Sequence, residues 1–173
     1  MEKTFKKGGN EEYLVKMLQE SIIAEQAAGD FYRYIAEKIK NGNIRNRFMK
    51  FADEEAEKHK KLLNDRLKLI IGQTYNPNLS ELDTNIKVSC FSLIGALNMA
   101  KESERKAIEF YTEARRKDVK YRKTYDQIIA EEKKHWSAID KEKYYQEEMW
   151  EFYKDDIGVR LISLLMERYQ RTL

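Results

Sequence analysis

Ile128-Ile129-Ala130-Glu131-Glu132-Lys133-Lys134-His135 decides the reading of this chain, because it sets a carboxylate and an imidazole three residues apart inside a strong helical pattern. On an α-helix that spacing puts Glu132 and His135 on one face. The face is apolar: Tyr121, Tyr125, Ile128, Glu132, His135 and Ile139 follow at alternating steps of four and three, the seam of a helix packed in a bundle. Both polar groups are therefore expected to point inward. A buried ionised carboxylate is strongly unfavourable unless a charge or a metal compensates it. Glu-x-x-His on a bundle helix is one way to hold a metal, although the motif alone is common in a glutamate-rich chain.

Working outward, the chain divides by its breaks. Residues 1–10 are polar and glycine-bearing and read as a loose tail. Residues 11–145 read as a four-helix bundle. Its first helix should run from about Glu12 to Lys40, with Leu14, Met17, Ile22, Glu25, Ala28, Tyr32, Ile35 and Ile39 near one face. Asn41-Gly42-Asn43 ends it, and the short break predicts an antiparallel neighbour. The second helix, about Ile44 to Ile71, turns Phe48, Phe51, Ala52, Glu55, His59 and Leu63 inward. Gly72 to about Val88, with Tyr75-Asn76-Pro77-Asn78, is the one long connection. A third helix covers about Ser89 to Lys117, with Leu97, Ala100, Glu104, Ala107 and Tyr111 inward, and the fourth, about Tyr121 to Tyr145, carries the opening motif. Residues 146–173 read as a C-terminal extension with a further amphipathic helix from about Trp150. Its apolar stripe from Leu161 to Met166 is too short to span a bilayer and suits packing on the bundle or on a second subunit, favouring a homodimer.

The two halves repeat. Glu25-Gln-Ala-Ala-Gly-Asp-Phe-Tyr32 is answered 79 positions later by Glu104-Arg-Lys-Ala-Ile-Glu-Phe-Tyr111. Each is Glu-x6-Tyr, and seven residues are close to two helical turns, so Glu and Tyr share a face with a small residue, Ala28 or Ala107, between them. Small residues there leave room beside the carboxylate. In the helices that follow, Glu55 comes seven after Phe48 as Glu132 comes seven after Tyr125, yet His59 is four beyond its glutamate where His135 is three beyond, and Lys58 stands at the expected place. Either the second helix stays regular and uses i,i+4 geometry, or it absorbs the extra residue as a π-bulge; both keep His59 on the right face.

Composition excludes several function classes. With 173 residues the chain is long enough for one well-packed domain, and a single proline with seven glycines suits long helices. Charged residues make up 36%, but the signs are interspersed and sum to only +3, which does not suggest nucleic-acid binding. No apolar run is long enough for a membrane span, and the first residues lack the apolar region of a secretory signal. Cys90 is the only cysteine, so an internal disulfide, an all-cysteine zinc site and a rubredoxin-type iron centre are excluded within this chain, and a reducing cytoplasm is the expected location.

The inward polar groups are then Glu25, Glu55, His59, Glu104, Glu132 and His135. Four carboxylates with two neutral imidazoles carry a charge that two divalent cations would balance. Mixed carboxylate and imidazole donors suit iron or manganese, and the absence of thiolates disfavours structural zinc. In these motifs, Glu25 and Tyr32, Glu104 and Tyr111, Glu132-Lys-Lys-His135 and the shifted Glu55-Ala-Glu-Lys-His59, the chain resembles the rubrerythrin-type ferritin-like di-iron proteins that lack a rubredoxin domain. The resemblance covers roughly residues 12–145. It implies an all-α ferritin-like four-helix bundle with one long crossover, and two iron ions (or manganese) held by Glu25, Glu55, His59, Glu104, Glu132 and His135. Tyr32 and Tyr111, sharing a face with two of these glutamates, are the candidate catalytic residues. The resemblance further implies reduction of H2O2 or O2 with oxidation of ferrous iron, supplied by an external electron donor such as a rubredoxin-like protein. One departure is Ala107, where rubrerythrins proper carry an additional glutamate.

Two other functions use the same features: a ferroxidase or iron-handling protein with the same ligands, and a metal-free helical interaction module presenting the last helix and the crossover. Glu54, Glu57 and Glu131 lie off the seam and are expected to face solvent, with Glu57 able to replace Glu55 if the helix is distorted. Tyr32 and Tyr111 could serve as core packing alone. Cys90 reads as a small buried hydrophobe, and Trp136, Tyr144 and Tyr145 as packing for the last helix.

Overall fold

In a computed structural model of the chain, residues 7–77 and 92–170 are described, with side chains given for 11–77 and 92–149. Helix α1 (Lys7–Lys38) ends just before Asn41. The Asn41 side chain then accepts from the backbone N–H groups of Asn43 (3.0 Å) and Ile44 (3.3 Å), satisfying two of the unpaired donors that open α2 (Gly42–Asp53). So tight a turn returns α2 antiparallel along α1. A π-helical segment, Glu54–His59, follows without a break, and α3 (Lys60–Ile71) completes the second long helix. Gly72 closes it in the left-handed conformation (φ 78°), where a residue without Cβ is unstrained. Ser92 caps α4 (Leu93–Lys117), accepting from Gly95 N–H at 3.0 Å. A short 3₁₀ turn, Val119–Tyr121, leads into α5 (Arg122–Gln170).

Helix α4 packs chiefly on α5, and α1 packs on α2, the π segment and α3, with α1 and α4 joining the two pairs. The α4–α5 turn is fixed by buried Asp118, which accepts from Arg66 Nε (2.7 Å) and Nη2 (2.9 Å) and from the Tyr125 hydroxyl (3.3 Å). Two apolar clusters form the core. One gathers Tyr32, Ile35, Phe48, Phe51, Leu97 and Ile139; the other Leu18, Ile22, Leu63, Leu67, Tyr125 and Ile128. Between them lies a layer of buried acids and histidines, so hydrophobic packing closes the polar layer at both ends.

The expected seams are observed, and the boundaries differ in two places. Helix α1 begins at Lys7, so residues 7–10 of the expected tail are helical. Where a boundary near 146–150 precedes a further helix in the sequence reading, α5 instead continues to Gln170. Lys143-Tyr144-Tyr145-Gln146-Glu147-Glu148-Met149 contains no proline or glycine, so nothing local ends the helix. Tyr144 and Tyr145 are exposed, not packed, while Trp136 is half-buried beneath the Lys101 ammonium. Cys90 and the side chains of Leu161 to Met166 lie outside the described residues.

The alternatives left open for the second helix resolve in favour of the π segment. Lys60 N–H reaches the Glu55 carbonyl, five residues back. Because a π turn holds one residue more than an α turn, His59 at i+4 occupies the place that i+3 has on α5. The widened turn presses against Gly29 of α1. A Cβ built at Gly29 would lie 2.6 Å from Ala56 Cβ and 2.9 Å from the Ala52 carbonyl oxygen. Gly29→Ala is expected to destabilise the fold by about 1–3 kcal/mol through overpacking. Gly42→Ala, whose Cβ meets nothing within 4 Å, serves as the reference and should stay within about 0.5 kcal/mol of the parent. Urea midpoints of the two variants check this; equal midpoints would remove Gly29 from the account.

Candidate metal centre

Each of the four long helices sends one acid into the polar layer, and two of them add a histidine. Exposure is 4% for Glu25, 1% for Glu55, 0% for His59, 3% for Glu104, 1% for Glu132 and 1% for His135, so none is solvated. Ligand atoms of Glu25, Glu55, His59 and Glu132 all lie within 4.8 Å of one another, and so do those of Glu55, Glu104, Glu132 and His135. Glu55 and Glu132 belong to both groups. That is the pattern of two adjacent ion sites sharing a pair of carboxylates.

His59 Nδ1 stands 3.0 Å from Glu55 Oε2 and 3.3 Å from both Glu25 Oε2 and Glu132 Oε1. His135 Nδ1 stands 2.7 Å from Glu55 Oε1 and 3.5 Å from Glu132 Oε2. Yet Glu55 Oε1, Glu132 Oε1 and His135 Nδ1 make no hydrogen bond. Their separations are short enough, but their directions are wrong for bonding one another. Ligands of one cation at about 2.1 Å and at right angles stand about 3 Å apart with lone pairs aimed at a common point. Buried orphan atoms converging in this way are satisfied by an ion better than by protein, so the donor set fits a pair of cations.

Protonation states point the same way. Burial, followed by the Glu55 charge, pushes the Glu25 carboxyl well above its usual range; burial and Glu132 do the same to Glu104. At Glu55 burial also works upward, but the close polar neighbours Glu25, His135 and His59 outweigh it and the net shift is downward. Glu132 moves down against both burial and the Glu55 charge, through His135, His59 and Glu104. For the imidazoles burial acts to lower the pKa, but the surrounding carboxylates prevail: His59 is raised strongly and His135 to about 10. In the metal-free protein, protons stand where cations would, so the two compete.

Around this set the contacts cross between the halves of the repeat. The Tyr32 hydroxyl on α1 donates to Glu104 Oε1 on α4, and the Tyr111 hydroxyl on α4 donates to Glu25 Oε1 on α1. Burial and the Glu25 charge raise the Tyr111 pKa, so the phenol keeps its proton and remains a donor. His59 Nε2 meets Glu131 Oε2 at 2.8 Å, and His135 Nε2 meets Glu54 Oε2 at 2.8 Å. Lys58, the residue inserted by the π segment, bonds Glu131 in turn.

The expectation that Glu54 and Glu131 face solvent is therefore corrected: each is partly buried and holds the outer nitrogen of a histidine from the opposite helix. A donor Nε2–H fixes the tautomer and leaves Nδ1 free to face the cluster. The signal was present in the sequence as the Glu-Glu doublet that precedes each histidine. Glu57 is exposed and does not replace Glu55. Glu131→Ala is expected to weaken binding of one ion about 10–100-fold and leave the other nearer to its parent affinity. Competition titrations against a chromophoric chelator measure both, and unaltered affinities would show that Glu131 is a bystander.

The rubrerythrin family model matches residues 16–143, a span that includes all six clustered residues and both tyrosines. The chain belongs to the rubrerythrin family. Among solved structures, this rubrerythrin is similar to a chain described as a dodecameric thioferritin, the bacterioferritin-related protein from Bacteroides fragilis. The TM-score is 0.68 at 22% identity, over 82% of this chain and 90% of that one. At that identity the likeness establishes the ferritin-like fold. Curated proteins give no significant match. Among the described residues of this rubrerythrin, no helix is long and apolar enough to cross a membrane.

Proposed function

We propose that this rubrerythrin is a non-haem di-iron oxidoreductase that reduces peroxide or dioxygen as its ferrous ions are oxidised. The observation that carries the reading is the sharing of Glu55 and Glu132 between two four-residue groups. Glu25 with His59 would hold one ion and Glu104 with His135 the other, with Glu55 and Glu132 held in common. Two adjacent ferrous ions supply the pair of electrons that cleavage of an O–O bond requires.

The chain's own residues position and insulate that chemistry. Tyr32 and Tyr111 each donate to one oxygen of an outer carboxylate, Glu104 or Glu25, and so orient the second oxygen and hold a proton beside the site as the candidate catalytic phenols. Glu54 and Glu131 hold the imidazoles. The apolar clusters exclude water from both ends of the layer. Turnover draws on an outside one-electron donor such as a rubredoxin-like protein, with manganese as an alternative occupant of the site.

Ferroxidase activity is the second reading, because the structural neighbour is described as a thioferritin and as bacterioferritin-related. Its dodecameric state also favours self-association of this chain, in a dimer or a larger assembly. Stoichiometry separates the two activities. Iron-loaded protein given excess peroxide should oxidise its own iron once and stop until a reductant is added. Continued oxidation of many added ferrous ions per chain without a reductant would replace the proposal with the ferroxidase reading.

A further inference from the structure

A cavity of about 300 Å³ opens between α1 and α4 directly onto the acids. Its floor is Glu25, Glu55, Glu104 and Glu132, and neither histidine lines it. Its walls include Ala28 and Ala107, the repeat-related small residues, and Phe110 and Lys106 stand toward the outside. A molecule arriving here meets the side of the carboxylate set that the imidazoles leave free.

Hydrogen peroxide, comparable to two waters at about 30 Å³ each, would leave most of this space empty. The volume lies at the lower end of the range for small organic ligands, which fill pockets of about 300–1,000 Å³. The walls on the α1 and α4 sides are mainly apolar, built from Ala24, Ala28, Ala107 and Phe110 with Ser21 and Ser103 among them. The rim carries one acid, Glu20, and one base, Lys106, beside a partly exposed Phe110, which is not the acidic funnel that would gather cations.

We propose that the cavity admits an organic hydroperoxide, a neutral ROOH with a compact apolar R, and that the protein reduces it to the alcohol and water. The inference rests on the di-iron reading of the floor. The R group lies against Ala28, Ala107 and Phe110, and the O–O unit faces the carboxylates. The O–O bond breaks on taking two electrons, one from each of two ferrous ions, which become ferric. One proton from solvent completes ROH from the RO fragment, and a second completes water from the OH fragment.

Cumene hydroperoxide and hydrogen peroxide, each tested on the full-length protein loaded with ferrous iron and kept reduced by an added one-electron donor, with protein-free controls, are the probes. The parent protein should saturate with cumene hydroperoxide. Ala107→Leu, which projects a branched chain into the cavity, should lower the ratio of kcat/KM for cumene hydroperoxide over hydrogen peroxide about tenfold or more. Ala107→Ser, nearly unchanged in volume, should preserve that ratio. A second readout needs no turnover: saturation-transfer NMR with the product alcohol, 2-phenyl-2-propanol, should show contact with the parent and Ala107→Ser proteins and little with Ala107→Leu. Reduction of hydrogen peroxide without reduction of cumene hydroperoxide overturns this inference and leaves the di-iron reading standing. Failure to reduce either peroxide overturns both, and alcohol contact undiminished by Ala107→Leu places the ligand elsewhere and overturns the assignment of the cavity.

Discussion

Glu132→Ala is expected to empty the site. Protein purified with iron should carry two ions per chain when intact, one for each four-residue group, and close to none in this variant, because Glu132 belongs to both groups. Glu25→Ala and Glu104→Ala should behave differently, since each belongs to a single group, and each should retain roughly one ion. The asymmetry between shared and unshared acids is the diagnostic part. Removing one carboxylate leaves His59 and His135 in a smaller negative cluster and withdraws the charge that held the second cation. Elemental analysis of the four proteins, with circular dichroism to show that each is folded, decides the matter. Equal, near-zero metal in the parent and in Glu132→Ala would end the di-iron reading, and equal loss in all three variants would show that the acids do not divide into two sites.

The second large effect concerns stability, pH and chelation. In metal-free protein the folded-state pKa values of His59 and His135 lie above the ordinary imidazole value of 6.5, with His135 at about 10. A raised pKa means that the proton stabilises the fold. That contribution is complete below the unfolded value and is lost as pH climbs through the folded one. Glu25 and Glu104, also raised, act in the same direction from the acid side upward, whereas the depressed Glu55 and Glu132 act in the opposite sense only below the ordinary carboxylate range.

Metal-free protein should therefore melt progressively lower between pH 7 and 10, by on the order of 10 °C if the His135 shift is expressed fully. Cations replace the protons, so metal-loaded protein should hold its melting temperature across that window, and the gap opened by chelator should widen with pH. A melting temperature indifferent to chelator at every pH would favour the metal-free interaction module instead.

Much of this architecture was legible in the sequence, and the reasons are local. The seam through Tyr125, Ile128, Glu132 and His135 follows helical periodicity, and each of these residues is buried. Glu25 with Tyr32 and Glu104 with Tyr111 were found because the halves repeat, yet the repeat could not show that each tyrosine bonds the opposite glutamate. That crossing depends on how α1 and α4 lie together, which no single helix encodes. Periodicity also misplaced Glu54 and Glu131. They sit one step off the seam, where a regular helix faces solvent, but carboxylates long enough to reach across the layer find the histidine of the facing helix. The extra residue before His59 admitted two geometries, and the choice is tied to a neighbour, Gly29, whose missing Cβ leaves space for the wider turn. The boundary expected after Tyr145 has no helix-breaking residue behind it, and α5 runs through it to Gln170.

Diffraction at the iron absorption edge, from crystals of the iron-loaded protein, tests most directly whether acids from both halves of the chain share one pair of ions. Two anomalous peaks should appear in the buried layer, one between Glu25 and His59, the other between Glu104 and His135, with Glu55 and Glu132 in contact with both. A map with no peak there, or with a single peak touched by only one half of the repeat, would contradict the account.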